Sequence, residues 1–591
     1  MRPSRILVVL MLLVAPHGVC AQQQAQPLSL TKQCYVPVDP RWTPQEKFVW
    51  KRVCIGNAAN FNKEKGYGGQ LDPKKPDGWP QNRVLRSAFL ETILLTDPYR
   101  RALTRRGVVI IGARFTEAID LEGAELQHRL GLTNSLIEND VDLRRLRSKY
   151  PIALEGSKVA GTLKANGLDL GANLLMRYGE FATMDFVTAH VGGQLILKGS
   201  KVTGKLNMSG LRVDDVLHID EAELAEVDLI GVHVGEELAL SRSKVTGKLS
   251  MVGLRVDNNL YMNKAEFAEV DLVSAYVSKE LTLSGSKVTG KLNMNGLRVG
   301  TILNMNIAEF AEVELTGAVV RYLVLSGSKV TGELICYDME VGQQVFMDDA
   351  VFGGPIDLRV AKIKGDLHLM GKFSENVDLT GAEIDGSLNL SSAQWSPDVT
   401  LSLRNAKIGL IPDLADDWAP KLDFDGLTYL DVGKADQFEH WFLKLDSYTP
   451  QPYDQLASVV EAQGESTLAT AIRYSGRERE RSQATSARRV GLTILKWVIG
   501  YGYYPERSVL WVFGLVVMGA VVLRVSGEGS RNGMPFGLAY SFDMLLPVIR
   551  LREKHYKIDL QTWARYYFYG QKIMGYVLAF FLVAALSGLA K

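Results

Sequence analysis

The segment SKVTGKL occurs three times, from Ser200, Ser243 and Ser286, with the variants SKVAGTL from Ser157 and SKVTGEL from Ser328. Their lysines fall at 158, 201, 244, 287 and 329, spaced by 43, 43, 43 and 42 residues. A fixed internal period constrains the fold before any local propensity does, because each repeat must bury its apolar face against its neighbours. Within one period the apolar residues alternate, as in Leu206 and Met208, Leu217 and Ile219, Val227 and Leu229, Leu238 and Leu240. Period two means strands, and Gly, Ser, Asn and Asp separate them into short pieces. No repeat holds a helix-length periodic stretch, which disfavours helical solenoids. Leu206, Leu217, Val227, Leu238 and Leu249 step by 11, 10, 11 and 11 residues, so two such modules make a coil of about 21.5. Coils of that length stack as a right-handed parallel β-helix, each bonded to the coil above and below.

Charge explains why the strict period covers two coils. Lys201, Glu223, Lys244, Glu266, Lys287, Glu309 and Lys329 alternate in sign at spacings of 20 to 22 residues. A parallel series runs through Lys205, Glu226, Lys248, Glu269, Lys291 and Glu312 and ends at Glu333, where lysine is due. Wound into coils, these become two ladders with rungs about 4.8 Å apart. Opposite charges at that spacing support register, and like charges would repel. A docking strip for a partner is the alternative use of the same charges. Less regular coils extend upstream through GVVIIGARFTEAIDLEGAEL from Gly107 and downstream through GDLHLM and GSLNLSS. The repeat domain is therefore expected over 107–409, about fourteen coils. Residues 22–106 would cap its first coil, since an open coil end is an exposed sheet edge.

Lys+Arg is 67 and Asp+Glu 66, a net charge of +1 that excludes a chain working through one large single-sign field, nucleic-acid binders included. The N-terminus reads as an export signal over 1–21. Arg2 and Arg5 precede the apolar run ILVVLMLLV, and Val19-Cys20-Ala21 offers small residues for cleavage. Cys20 also admits a lipoprotein reading. Export would carry Cys34 and Cys54 into an oxidising compartment, where a disulfide between them competes with two free buried thiols. Cys336, inside the repeats, reads as packing.

From Tyr453 the strand alternation gives way to Ala, Glu, Arg and Leu, giving a helical joint over 410–489. Arg477-Glu478-Arg479-Glu480-Arg481 and Arg488-Arg489 read as a basic approach to a membrane, and Val490 to Gly500 as an interfacial helix. The membrane domain is 490–591, with spans expected at 508–523 and 573–590; a buried core hairpin is the alternative. Arg473–Arg507 and Arg524–Lys572 each carry eight Lys/Arg, so charge does not orient the spans. The signal would place the β-helix outside. Asp543, in the apolar stretch Phe536–Ile549, is a candidate functional residue if it lies within the membrane, with interfacial placement the alternative.

Motifs of chemistry are missing: no Gly-rich nucleotide loop, GxSxG, HExxH or CxxC occurs, and the histidines look scattered. His218, next to Leu217 on a strand, should point outward. Asp214-Asp215 and Glu236-Glu237 read as solvated turns. No catalytic residue, cofactor-binding residue or metal ligand is assigned.

The chain resembles bacterial membrane-anchored, pentapeptide-like β-helix proteins, sometimes labelled membrane-associated oxidoreductases. The resemblance rests on Gly56-Asn57-Ala58-Ala59-Asn60-Phe61-Asn62, Gly502-Tyr503-Tyr504-Pro505, Tyr540-Ser541-Phe542-Asp543-Met544-Leu545-Leu546-Pro547 and Ala585-Leu586-Ser587-Gly588-Leu589. The joint and spans also resemble pentapeptide proteins fused to two-helix ion-channel pores, although no TVGYG-like filter lies between the spans. Signal, repeats and spans together make the expected protein an inner-membrane one that displays its β-helix in the periplasm as a scaffold or binding surface. Its expected partners are membrane lipid, a protein or other envelope component, and further copies of itself, with no nucleic acid and no cofactor. A pore subunit and an oxidoreductase are the alternative functions.

Overall fold

In the computed structural model residues 34–413, 418–445, 447–546 and 551–586 are described. The export signal expected at 1–21 lies outside them. The chain forms a parallel β-solenoid of about 15 turns followed by helices. Every strand pairing in it is parallel, and the register steps by one coil: Leu206 lies beside Val227 and Val227 beside Leu249, while Leu217 lies beside Leu238. These inward residues are fully buried and form one continuous core from the cap to the helical joint.

Most half-coils turn on a residue in the left-handed region, as at Gly210 (φ 66°), Glu221 (φ 60°), Gly231 (φ 63°) and Arg242 (φ 58°). The glycine of SKVTGKL has a different cause. It lies where the register of adjacent coils shifts by one residue, between Val245 and Lys248. A Cβ on Gly247 would sit 2.7 Å from the Ala225 carbonyl oxygen of the coil below. The repeated serine is equally specific. Ser243 is buried at a corner, accepts from the Ala222 amide (3.2 Å) and donates to the Ile219 carbonyl (2.6 Å). Ser286 does the same for Ala265 (3.0 Å) and Met262 (2.6 Å). Buried backbone groups at a corner need such partners. Alanines 222, 265 and 308 occupy this corner on the intervening coils, facing the serines. The two-coil period therefore has a buried cause besides charge.

Both ends of the solenoid are covered. At the first, strand Ala59–Asn60 pairs with Val108–Ile111, and helix Pro44–Val53 packs behind it under a Thr43/Glu46 capping box. Cys34 and Cys54 are joined by a disulfide, with Cα atoms 5.5 Å apart. Arg83 is fully buried there and donates to Asn62 Oδ1 (2.7 Å) and to the Tyr67 (2.8 Å) and Gly112 (3.1 Å) carbonyls. At the other end the coils run past Gly409 to the strand Thr428–Lys434. Helix Pro450–Ala462 then lies along this open edge. Gln451, Gln455 and Gln463 donate to the carbonyls of Leu427 (2.7 Å), Tyr429 (2.8 Å) and Val432 (2.6 Å). Side-chain amides thus replace the missing next coil.

Beyond this cap come helices Ser466–Gln483, Ser486–Ile499, Glu506–Val525, Leu538–Leu545 and Ala564–Leu586. Among the described residues one helix, Glu506–Val525, is long and apolar enough to cross a membrane. The second span, expected at 573–590, falls on helix Ala564–Leu586 and runs beyond the described residues.

Candidate functional site

Asp543 is the polar centre of the C-terminal module. It sits on the short helix Leu538–Leu545, wedged between Glu506–Val525 and Ala564–Leu586, and its side chain is fully buried. The wedge is tight because glycines line it. A Cβ on Gly519 would meet Ser541 Oγ at 2.1 Å, and one on Gly537 would meet the Leu523 side chain at 2.7 Å. Small residues let helices approach in this way, and polar side chains then bind across the gap. Here Gln571 Nε2 donates to Ser541 Oγ (2.8 Å) and to the Ser541 carbonyl (3.1 Å).

The Asp543 carboxylate accepts from the amides of Leu551 (2.6 Å) and Arg552 (3.1 Å) and from His555 Nδ1 (2.6 Å). Tyr556 adds a hydroxyl bond to the Asp543 carbonyl (2.8 Å), and Tyr540 packs edge-on against the imidazole. Three donors thus converge on one carboxylate, which holds the imidazole by its Nδ1 edge. The arrangement fastens the segment 551–556 to the helix wedge.

A second hub, Glu478, ties the joint to the helix Ser486–Ile499 and the turn that follows it. It receives Lys496 (2.8 Å), Arg481 (2.9 Å) and the Tyr501 hydroxyl (2.6 Å). Burial would push its carboxyl up, but hydrogen bonds from Lys496, Tyr501 and Arg481 outweigh that and hold it at about 2. Glu480, which is buried, takes Arg477 (2.9 Å) and Arg488 (2.6 Å). Within the run read as a basic approach, Arg477, Arg481 and Arg488 pair with Glu478 and Glu480, while Arg479 and Arg489 donate to backbone carbonyls, so five arginines meet two glutamates and the run keeps a positive excess.

On the solenoid the charge ladder stands in register from Lys201 through Glu223, Lys244, Glu266, Lys287 and Glu309 to Lys329. Its contacts alternate, however. Lys201–Glu223 (3.1 Å), Lys244–Glu266 (2.8 Å) and Lys287–Glu309 (2.8 Å) are ion pairs. Between these pairs the rungs are strand neighbours without a salt bridge, so the ladder is a stack of pairs. It also starts earlier than the sequence reading placed it, at Lys158–Glu180 (2.6 Å).

The histidines are less scattered than they looked. Asp169, His190, Arg212, His233, Arg255, Tyr276 and Arg298 form one column on the other sheet. His190 lies between Asp169 (3.1 Å) and Asp214 (3.0 Å), and Asp214 also accepts from Arg212 (2.7 Å). One period on, His233 and Arg255 share Asp257 at 2.8 and 2.9 Å. The hydrogen bond to Asp214 raises the His190 imidazole above its ordinary value, against the effect of burial, and Asp169 adds to the rise. Asp214 is thus an ion-pair centre as well as a turn residue. The signal was present in the sequence, since His190 and His233, Arg212 and Arg255, and Asp214 and Asp257 all repeat at 43 residues. His218 is partly exposed, 3.3 Å from Asp220 and 3.5 Å from Glu237.

Among the described residues no group of three or more His, Cys, Asp or Glu could hold a metal ion. Compared with known protein families, with curated proteins and with solved structures, the chain matches none.

Proposed function

We propose that this chain is a membrane-anchored scaffold whose solenoid displays a rigid binding surface for a protein or another envelope component. The observation that carries the reading is the succession of a capped rod and an apolar helix. Glu506–Val525 has 20 residues, about 30 Å of helix, the thickness of a hydrocarbon core. Leu510, Phe513, Val521 and Val525 project from it, exposed within the single chain. In this reading Ala564–Leu586 is the second span, and the rod stands in the periplasm of a bacterial inner membrane. The Cys34–Cys54 disulfide supports export of the rod. The short, uniform coils favour display over catalysis. Resemblance to membrane-anchored pentapeptide-like β-helix proteins points the same way.

Membrane fractionation tests the anchor. The full chain should stay with membranes through alkaline carbonate extraction, and protease added to intact spheroplasts should digest the rod. Release by carbonate would remove the anchor, and protection of the rod would reverse the orientation.

A further inference from the structure

The amphipathic helix Ser486–Ile499 and the first turns of Glu506–Val525 enclose a groove of about 610 Å³. Its walls are Tyr474, Lys496, Trp497, Arg507, Leu510 and Trp511. The two tryptophans are tied together, Trp511 Nε1 donating to the Trp497 carbonyl (2.9 Å), and both keep exposed ring surface. Arg507 donates to the Lys496 carbonyl (3.0 Å) and lies over the rings of Tyr474 and Tyr504, 5.7 and 5.1 Å from their centres. No carboxylate among the described residues forms an ion pair with it. Glu478 answers Lys496 and Arg481 together with one charge. The mouth of the groove therefore carries more positive than negative charge. Further along, Leu510 and Gly514 make the lining apolar, and a Cβ on Gly514 would meet nothing within 4 Å.

A cationic mouth at Arg507 and Lys496, exposed tryptophans and an apolar lining match the three environments of one leaflet: phosphate, interface and acyl chain. We infer that this groove binds one anionic phospholipid from the leaflet facing the solenoid, its phosphate at Arg507 and Lys496 and an acyl chain along Leu510 and Gly514. The inference rests on the anchor reading above. The lipid would fix the angle between interfacial and spanning helices, and so the angle at which the rod leaves the membrane.

The test uses the full chain in nanodiscs of phosphatidylcholine with a minor share of phosphatidylglycerol. Native mass spectrometry after gentle extraction should find one phosphatidylglycerol retained per chain, enriched about fivefold over the disc. Arg507→Gln should bring that enrichment close to one, whereas Arg531→Gln, beyond the far end of the same helix, should leave it unchanged. In the unsubstituted chain, brominated phosphatidylglycerol should quench tryptophan fluorescence more than brominated phosphatidylcholine at equal mole fraction. Equal quenching, or equal retention of both lipids, overturns the inference and leaves the anchor standing. A chain that never enters the discs overturns the anchor, and the inference with it.

Discussion

Lys244 in the solenoid and Glu478 in the joint both sit in ion pairs, yet the two regions use charge differently. Lys244 meets Glu266 at 2.8 Å with both side chains more than half exposed, and the same pair recurs one period before and one after. Glu478 collects Lys496, Arg481 and Tyr501 in a half-buried junction that occurs once. Repetition makes each contact of the rod expendable, because neighbouring coils supply the same register information. In the helical module each polar contact is used once, so the arrangement of several helices depends on a few side chains.

The sharpest way to break this contrast is at Asp543. Asp543→Ala leaves the Leu551 and Arg552 amides and His555 without their shared acceptor. Each buried donor left without an acceptor costs about 1–3 kcal/mol. Hydrogen exchange at Leu551 and Arg552 should accelerate strongly while amides of the solenoid keep their protection. Loss of protection in the rod as well would mean that the two regions unfold as one.

The rod has a smaller counterpart in Ser243. Ser243→Ala orphans the Ala222 amide and the Ile219 carbonyl, a loss of about 1–3 kcal/mol. Exchange should quicken at those coils and fade within a coil or two on either side. An effect spreading over the whole solenoid would contradict the nearest-neighbour picture.

The same contrast governs how much was legible in the sequence. Whatever repeats could be read: coil length, alternating burial, the register of Lys201 over Glu223 and the need for a cap all follow from period and alternation. The coil ending at Lys434 escaped because the period drifts there. Glu383 lies 24 residues from its partner Lys407, and Lys407 lies 21 from Thr428. Asp543 stood out as an acid in an apolar stretch, but nothing in the spacing to His555 announces their bond, since the chain between them follows no repeating geometry. Arg83 shows the same limit: its acceptors at Asn62 and Gly112 are brought together only by the fold of the cap. The three glutamines that close the last coil were readable in principle, Gln451 and Gln455 sharing a helix face four residues apart and Gln463 capping the C-terminus of the same helix.

Acid distinguishes the two regions further. With the Glu478 carboxyl held at about 2 against an ordinary 4.5, its stabilisation is full above pH 4.5 and is lost as pH falls from there towards 2. Allowing for partial exposure, the loss is about 1–2 kcal/mol. Contacts between Ser466–Gln483 and Ser486–Ile499, followed by fluorescence of a labelled helix pair, should loosen across that window. Glu478→Gln should remove the pH dependence. A transition that persists in the variant would assign the acid sensitivity to another carboxylate, with Glu480 the first to examine.

The smallest effect lies in the ladder itself, and it decides whether the ladder is continuous or a stack of pairs. Glu266 stands between Lys244 and Lys287 in the sheet but bonds only Lys244. Its carboxyl is lowered first by the hydrogen bond from Lys244, then by that lysine's charge, and least by the charge of Lys287. Lys244→Met should therefore raise the Glu266 value, read by NMR titration, more than Lys287→Met does. Both responses should shrink as added salt screens exposed charges. Equal responses to the two substitutions would make every rung equivalent, and the alternation of contacts would then carry no energetic meaning.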